Sequence, residues 1–403
     1  MHTLAQDSVS ARSGSEPRTP VAPKVNWGRI FGLREMGVYY ALVALVFIIA
    51  VLTAYLGRSH YLSVLNLTNI VYQSSLVAIM AVAMTVVLIS GNFDLSVASV
   101  AALAGVLLVG NADVIGFWPA AALALAAGVG LGLLNGVIVE FVGINAFIVT
   151  LGTMTAIRGL VLVYTDGRSL SATSDGVIAS MKAFESGRHD AFWLVLAGGI
   201  LLFAVGAYRA FQSRMKGAGL RPTNVGMVLG GLALALIALA SGGQLRLRNP
   251  VIYLVLFTTA VWFVLTYTIV GRRLYAVGAN PEASRLAGIN VKRYKLSAFV
   301  LCSGAAAVAG ILFASRLRSV NPAALQGAEL TVIAAAILGG TSLFGGAGSV
   351  IKTLAGAFLL FTLTNGFNIL NLGANWHGLI EGIVVVTAAA IYTVGGRKSK
   401  TVA

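Results

Sequence analysis

Twelve long runs of apolar residues, separated by short polar segments, fill this chain of 403 residues from position 37 onward. A helix needs roughly 20 apolar residues to cross the hydrocarbon core of a bilayer, and most of these runs reach that length. The tenth run is too short to cross as a regular helix. The predicted spans are 37–56, 70–90, 95–113, 117–138, 146–165, 191–210, 224–241, 250–270, 297–316, 330–344, 350–371 and 376–394.

The scarcity of charge supports a membrane protein. Only 10% of the residues are charged, whereas a soluble domain carries about a quarter. The predicted fold class is therefore an all-α polytopic membrane protein with about 10–12 transmembrane helices. Residues 37–394 form one membrane domain, 1–36 a disordered cytoplasmic tail and 395–403 a short cytoplasmic tail. Spans two to five and nine to twelve are candidates for two inverted four-helix repeats, as in many transporters.

The placement of positive charge predicts the orientation. Most of the 28 Lys and Arg residues fall in or beside alternate connecting segments, as expected when those segments lie inside the cell. Both termini are then cytoplasmic. The net charge of +15 does not indicate a nucleic-acid partner, because the charges lie between spans and form no continuous face. The predicted inner segments are 1–36, 91–94, 139–145, 211–223, 271–296, 345–349 and 395–403.

Two polar, glycine-containing segments interrupt the apolar runs, at 90–96 and 338–349. Irregular backbone at membrane depth must be buried in protein or line a watery cavity, so both breaks are candidates for a translocation path or for ordinary tight turns. In the first break, Asn92, Asp94 and Ser96 are candidate path residues. Asp94 is also interpreted as the N-cap of span three, since Asp is a strong N-cap.

Arg158 and three asparagines lie inside the predicted spans. Arg158 sits in span five and needs a partner in the bundle, for which Glu381 and Asp113 are the candidates. Asn365, Asn368 and Asn371 share one face of span eleven. Their amides are suited either to sugar hydroxyls or to bridging helices, and both interpretations stay open. Arg158, Asn365 and Asn368 complete the set of candidate path residues.

The segment 271–296 contains a short helix whose two ends are both specified. Asn280 is a good N-cap, Pro281 suits the first helical position and Glu282 suits the first turn. Ala283 to Ala287 favour helix, and Gly288 is a natural left-handed residue after the helix. So short a helix is not stable alone. We expect it to be held by its own bundle, docked into another protein or resting on the membrane.

These motifs resemble those of the bacterial ABC permeases that import ribose, xylose and arabinose. The resemblance covers about residues 60–395. It departs from the family pattern at Ala98, where Gly is usual, and at Asn145, where Pro is usual. The matching segments are Gly278–Val291, Gly91–Ser96, Asn135–Gly136, Phe147–Met154, Arg158–Gly159 and Gly339–Gly346.

The resemblance implies a permease homodimer in the bacterial inner membrane, with ATP-binding cassette subunits docked below and a soluble sugar-binding protein outside. The segment 271–296 becomes the coupling loop. The extra hairpin of spans six and seven is similar to the longer xylose-type permeases and favours a pentose such as xylose. Membrane lipid is the remaining partner. The coupling residues implied by the resemblance are Asn280, Pro281, Glu282, Ala283, Arg285, Gly288 and Ile289.

Two other classes of function compete with a permease subunit. An ion-coupled secondary sugar transporter also has about twelve spans, with Asp94 and Glu381 as its main candidates for ion coupling. A membrane-embedded enzyme is disfavoured because His2, His60, His189 and His377 form no metal-ligand spacing. The sequence has no phosphate-binding loop, so ATP hydrolysis is assigned to a partner. We predict no catalytic residues, metal site or cofactor.

Overall fold

The protein is a bundle of membrane-length helices. The computed structural model describes residues 33–58, 61–215 and 222–371, together with 378, 379, 382, 383 and 386. The helices are α1 Leu33–Tyr55, α2 Val64–Ile89, α3 Val97–Ile115, α4 Phe117–Val137, α5 Ala146–Thr165, α6 Asp175–Ser186, α7 Phe192–Met215, α8 Pro222–Ala240, α9 Asn249–Tyr267, α10 Ile269–Ala279, α11 Pro281–Leu286, α12 Val291–Leu317, α13 Ala328–Leu338 and α14 Val350–Leu370.

The predicted fold class is confirmed. Within the described ranges, nine helices are long and apolar enough to cross a membrane, and two shorter apolar helices accompany them. One of these two is α13, of 11 residues, so the tenth run is indeed too short for a regular span. Residues 33–36, predicted as tail, are the start of α1. Most of the twelfth run, residues 1–32 and residues 395–403 lie outside the described residues. The inverted repeat therefore stays a prediction, because its last helix falls there.

Two helices begin six residues earlier than predicted. α2 begins at Val64 instead of position 70, and α12 at Val291 instead of 297. In both, polar residues occupy the first turns and hide the helix from an apolar search. A side-chain cap fixes each start, with Ser63 accepting a hydrogen bond from the Asn66 N–H and Asn290 from the Arg293 N–H. Backbone hydrogen bonding extends a helix beyond its apolar part.

The segment 271–296 is not the loop that the sequence suggested. Most of it is helical, since it holds most of α10, all of α11 and the first turn and a half of α12. α9 ends at Tyr267, and the Thr268 hydroxyl accepts from the Gly271 N–H to begin α10. Only the residues around Asn280 and 287–290 connect these helices. The coupling prediction thus falls on a segment that is mostly helical rather than on a long loop.

The core lies where α2, α3 and α12 meet, and these helices are the most buried. α12 packs closely on α4 along glycines spaced four residues apart. A Cβ added at Gly132 would lie 2.7 Å from the Phe299 carbonyl oxygen, and one added at Gly136 would lie 2.5 Å from the Leu296 side chain. The small residues let the two backbones approach. α7 and α8 pack mainly against each other at the edge of the bundle.

The helices alternate in direction, so their connections gather at two ends of the bundle. We define the Pro281 end as residues 90–96, 268–290 and 339–349. We define the Glu185 end as residues 166–191, 241–248 and 318–327. The Glu185 end carries structure that the sequence analysis did not predict. It holds α6 and two short antiparallel ladders, in which Leu170–Ser171 (β1) pairs with Ser319–Val320 (β4) and Arg188–Asp190 (β2) pairs with Arg246–Arg248 (β3).

Candidate functional site

The short helix α11 is capped at both ends as predicted. The Asn280 side chain accepts a hydrogen bond from the Ala283 N–H at 3.0 Å, and Pro281 occupies the first turn. At the other end Gly288 has φ +79°. Its N–H donates to the Arg285 carbonyl, and the Ile289 N–H donates to the Ser284 carbonyl, both at 3.0 Å. This pair of bonds is a Schellman motif.

α11 presents almost all of its side chains to the surroundings. Ser284 is buried, whereas the side chains around it are exposed. Leu286 has 82% of its surface exposed, and the sequence analysis did not single it out. Glu282 and Arg285 form an exposed ion pair at 3.0 Å. A capped helix with an exposed leucine at its end is suited to contact with another protein.

Glycines join α10 to both breaks through direct backbone contact. The Gly346 N–H donates to the Ile89 carbonyl at 2.9 Å. A Cβ at Gly345 would lie 2.6 Å from the Gly278 carbonyl oxygen and 2.8 Å from the Gly91 Cα. We call this meeting of Ile89, Gly91, Gly278, Gly345 and Gly346 the glycine junction. The three segments are therefore in close backbone contact there.

A cavity of about 480 Å³ opens beside the first break. Its walls are residues 91–93 and 95 of that break, residues 145–147 at the start of α5 and Ile333 of α13. Asn92 and Asn145 contribute its polar groups. The remaining wall is mostly apolar, as in many small-molecule pockets. Of the predicted path residues, Asn92 therefore reaches a cavity.

Asp94 and Ser96 lie behind this wall and are fully buried. Asp94 Oδ1 accepts hydrogen bonds from the Ser96 N–H at 2.9 Å and the Ser96 hydroxyl at 2.6 Å. Asn135 of α4 donates to the same hydroxyl at 3.0 Å. Burial raises the pKa of the Asp94 carboxyl, and the hydrogen bonds from Ser96 offset part of that shift. Asp94 lies two residues before Ser96, the assigned N-cap of α3, whose own side chain makes no capping hydrogen bond. The Asp94 carboxylate, predicted as a cap, bonds the Ser96 N–H instead.

Glu140 connects the cavity wall to the start of α12, and the sequence analysis missed it. It lies in a π-helical turn, Ile138–Val142, that follows α4. Its Oε1 accepts a hydrogen bond from Asn92 Nδ2 at 3.0 Å and lies 3.8 Å from Lys295 Nζ. A lone glutamate between apolar runs was the available signal, since such groups are costly and usually have partners.

Arg158 has neither of the partners named from the sequence within the described residues. Its Nη1 donates to the Ala324 carbonyl at 2.7 Å, and Glu329 interacts with it electrostatically. The Asp113 prediction is wrong, because that carboxylate accepts hydrogen bonds from Thr173 and Ser174 instead. Glu381 lies outside the described residues. Local spacing could not predict the loop that meets Arg158.

The asparagines of α14 lie toward the Glu185 end, away from the cavity. Asn365 and Asn66 of α2 exchange a pair of amide hydrogen bonds, at 2.9 and 3.2 Å. Asn365 therefore bridges two helices, which was one of its two interpretations. Asn368 is exposed, and Asn371 ends the helix in a left-handed conformation.

Metal ligation receives no support from the part of the chain that is described. No group of three or more His, Cys, Asp or Glu side chains there is arranged to hold an ion. Cys302 is buried in α12 as a free thiol.

Comparison with known proteins identifies a transport family. The family described as branched-chain amino acid transport system / permease component matches residues 66–389. The xylose transport system permease protein XylH of Escherichia coli K12 is 33% identical over 383 residues, which cover 92% of this chain and 96% of that protein. The ribose import permease protein RbsC of the same strain is 34% identical over 355 residues, covering 87% and 92%. XylH of Haemophilus influenzae is 32% identical over 382 residues, covering 90% and 98%. No solved structure matches the chain significantly.

Proposed function

This chain belongs to the family of ABC-type monosaccharide importer permeases, and from that premise we propose that it is the membrane-spanning subunit of an ATP-driven, binding-protein-dependent importer of a pentose such as xylose. The chain itself is not an enzyme in this proposal and needs no cofactor. Two copies form the pore in the bacterial inner membrane, surrounded by lipid. ATP-binding cassette subunits drive the pair, and a soluble sugar-binding protein delivers the substrate.

The observation that carries this proposal is the exposed, doubly capped helix α11. Asn280, Pro281 and Gly288 define the two ends of this helix of six residues. So short a helix has little stability of its own. Leu286 remains uncovered at its end, with 82% exposed. A partner that buries this leucine would gain about 2 kcal/mol of apolar contact. The ATP-binding subunits are the partners assigned to this surface.

The glycine junction provides the means of coupling. When the ATP-binding subunits close, their motion displaces α11. α10 moves with it, because Asn280 alone connects the two helices. The contacts of Gly278 with Ile89 and Gly346 carry the displacement into both breaks. Since the first break forms one wall of the cavity, its movement opens or closes the path. Glu282, Ala283, Arg285 and Ile289 complete the coupling surface.

The sugar path runs between α5 and α13 in this proposal. The cavity offers the amides of Asn92 and Asn145 to sugar hydroxyls, beside the apolar surface of Ile333. Arg158 lies further along α5, and Glu329 begins the same helix as Ile333. These groups place polar side chains along one route, as transporter paths require. Asp94 and Ser96 support the wall rather than face the sugar.

The orientation follows from this assignment. The Pro281 end and both termini face the cytoplasm, where ATP is available, and the Glu185 end faces the binding protein. Exposed basic residues occur at both ends, so the orientation rests on the assignment of α11 and not on their count. They are Arg272, Arg273, Lys292 and Arg293 at or beside the Pro281 end and Arg168, Lys182, Arg188 and Arg246 at the Glu185 end.

A reconstituted transport assay tests the proposal. The full chain is placed in proteoliposomes with the ATP-binding subunits and the sugar-binding protein of the same organism, and uptake of labelled xylose and ribose is measured. We expect uptake to require ATP. Leu286→Asp should lower uptake and weaken binding of the ATP-binding subunits about tenfold, as expected for an exposed anchor residue.

Leu286→Met is the matched control, because it keeps an apolar side chain of similar volume, and it should behave as the parent. The proposal fails if uptake proceeds on a Na⁺ or H⁺ gradient without ATP or partners. That result would favour an ion-coupled secondary transporter. A preference for ribose over xylose would correct the substrate alone.

A further inference from the structure

We infer that Glu140 is the residue that links movement of α12 to the cavity wall at Asn92, an inference that rests on the proposed importer function. The three side chains Asn92, Glu140 and Lys295 are called the Glu140 bridge. Glu140 is a positioning residue in this role. It does not contact the sugar, and it acts by setting where the Asn92 amide points.

One carboxylate oxygen of Glu140 contacts both the cavity wall and α12. Oε1 of Glu140 accepts from Asn92 Nδ2 at 3.0 Å, and the same oxygen lies 3.8 Å from Lys295 Nζ. Asn92 belongs to the cavity wall. Lys295 belongs to the first turns of α12, nine residues after the last residue of α11. A shift of α12 therefore pulls on the atom that holds Asn92.

Burial makes these contacts strong enough to matter. The Glu140 side chain is 9% exposed and that of Lys295 is 15% exposed, so solvent screens their attraction only in part. Loss of either partner leaves a largely buried charge uncompensated, which is costly. By contrast, the exposed ion pair of Glu282 and Arg285 on α11 is screened by water and contributes little.

The local backbone supports a role in movement. Glu140 lies at the centre of the π-helical turn Ile138–Val142, which ends in left-handed Gly143. π-helical turns are rare and often mark functional sites, because they re-aim a side chain without breaking the helix. Here Gly143 and Ile144 separate the turn from residues 145–147, which line the same cavity. One short segment thus contacts α12 through Lys295 and leads directly into the cavity.

The test measures coupling separately from folding. The reconstituted importer is assayed for xylose uptake and ATP hydrolysis in the same proteoliposomes. We expect Glu140→Gln, Lys295→Met and Asn92→Ala each to lower the uptake per ATP hydrolysed about fivefold, within the range of coupling energies measured for single residues. Glu140→Gln combined with Asn92→Ala should be no worse than either alone, because both break one bridge.

A charge exchange separates coupling from a structural role. Glu140→Lys with Lys295→Glu restores the ion pair, and the Asn92 amide can turn its oxygen toward the new lysine. The exchange should recover at least half of the parent's ratio of uptake to ATP hydrolysis. Asp166→Asn is the control, since it breaks an exposed ion pair with Arg168, and it should leave that ratio unchanged.

Thiol labelling gives a second readout. Phe147 lines the cavity and is 53% exposed, whereas the native Cys302 is fully buried. In a Phe147→Cys chain, ATP should change the rate of labelling by a thiol reagent. The change should disappear when Glu140→Gln is added.

The outcomes distinguish the two proposals. If the parent shows ATP-driven uptake while Glu140→Gln keeps its uptake ratio and its labelling response, the bridge is overturned and the importer proposal stands. Failure of the charge exchange to restore coupling also overturns the bridge. If the parent itself shows no ATP-driven uptake, both proposals fall together.

Discussion

The two ends of the bundle are held together by different kinds of contact. At the Glu185 end, charged and aromatic side chains converge. Glu185 Oε1 accepts hydrogen bonds from the Tyr72 hydroxyl at 2.6 Å and from Arg316 Nε at 2.7 Å. The guanidinium groups of Arg316 and Arg248 lie 4.0 and 4.1 Å from the centre of the Tyr72 ring. At the Pro281 end, α10 and the two breaks are in direct backbone contact at the glycine junction.

The difference separates a fixed frame from a joint. The Glu185 cluster ties α2, α6, α12 and strand β3 through bonds that are lost together if one element moves. At the glycine junction, no side chain has to change rotamer when the three segments move as one. We interpret the Glu185 end as the frame and the Pro281 end as the part that moves during transport.

The largest expected effect comes from breaking the frame. Glu185→Gln leaves Arg316 without its carboxylate, although the glutamate is fully buried and the arginine side chain is only 15% exposed. We expect the free energy of unfolding to fall by about 3–5 kcal/mol. Thermal unfolding of the purified chain in detergent, followed by tryptophan fluorescence, measures this as a lower midpoint.

An exposed ion pair at the same end is the matched control. Asp166 and Arg168 lie 3.2 Å apart, with both side chains more than 80% exposed. Asp166→Asn should change the free energy of unfolding by less than about 1 kcal/mol. Equal effects of the two substitutions would show that burial does not distinguish the Glu185 cluster and would remove the basis for calling it a frame.

An intermediate effect is expected from forcing the joint apart. A Cβ at Gly278 would overlap the carbonyl oxygen of Ile89 and lie 2.8 Å from the Gly346 nitrogen. Gly278→Ala should therefore cost about 1–3 kcal/mol of stability, as in overpacked cores. Because it separates α10 from both breaks, it should also reduce ATP-coupled uptake far more than its loss of stability explains.

Gly152→Ala controls for the change from glycine to alanine in a helix. Gly152 lies in α5, and no atom of the described residues lies within 4 Å of an added Cβ. Alanine favours helix over glycine by up to about 1 kcal/mol, so this variant should be as stable as the parent or more so. If Gly278→Ala also transports at the parent's rate, the glycine junction does not carry motion.

The smallest effect concerns Asp94, the buried carboxyl beside the joint. Burial raises the pKa of Asp94 above its ordinary value near 3.8, so the folded state binds the proton more tightly than the unfolded state. Stability should then decline as the pH rises from the ordinary carboxyl range through the folded-state pKa. The Cys302 thiol is in electrostatic contact with Asp94 and belongs to the same environment.

Unfolding midpoints measured from about pH 4 to pH 8 test this dependence. Asp94→Asn keeps an oxygen for the Ser96 hydrogen bonds but cannot titrate, so its midpoint should fall less with rising pH. Parallel curves for the parent and Asp94→Asn would mean that this carboxyl does not titrate in the window.

Short-range features were predictable from the sequence. The helix at Pro281 was predicted because Asn280 and Gly288 cap a segment that lies within a few residues of both. Gly132 and Gly136 recur at helical spacing, which favours close approach of a neighbouring helix, but only the structure shows that this helix is α12. Such signals depend only on neighbouring residues and elementary helix geometry. The starts of α2 and α12 were missed because their first turns are polar.

The partners of charged side chains were not predictable. Arg158 meets Ala324, which is 166 residues away, and no local pattern indicates that contact. The contacts of Glu140 with Asn92 and Lys295 were not predictable for the same reason, since each of these residues comes from a different helix or break. A charged residue in an apolar span indicates that a partner is needed, but the packing of the whole bundle decides which residue that partner is.

The sequence by itself determined that this chain crosses a membrane many times, that two breaks interrupt its spans and that a capped helix follows the eighth span. These are consequences of hydropathy and of hydrogen bonds within one or two turns. Only the tertiary structure decided that both breaks meet α10 at Gly278 and that Glu140 lies against the cavity wall. Those contacts join residues far apart in the chain, and they exist only when the helices have packed.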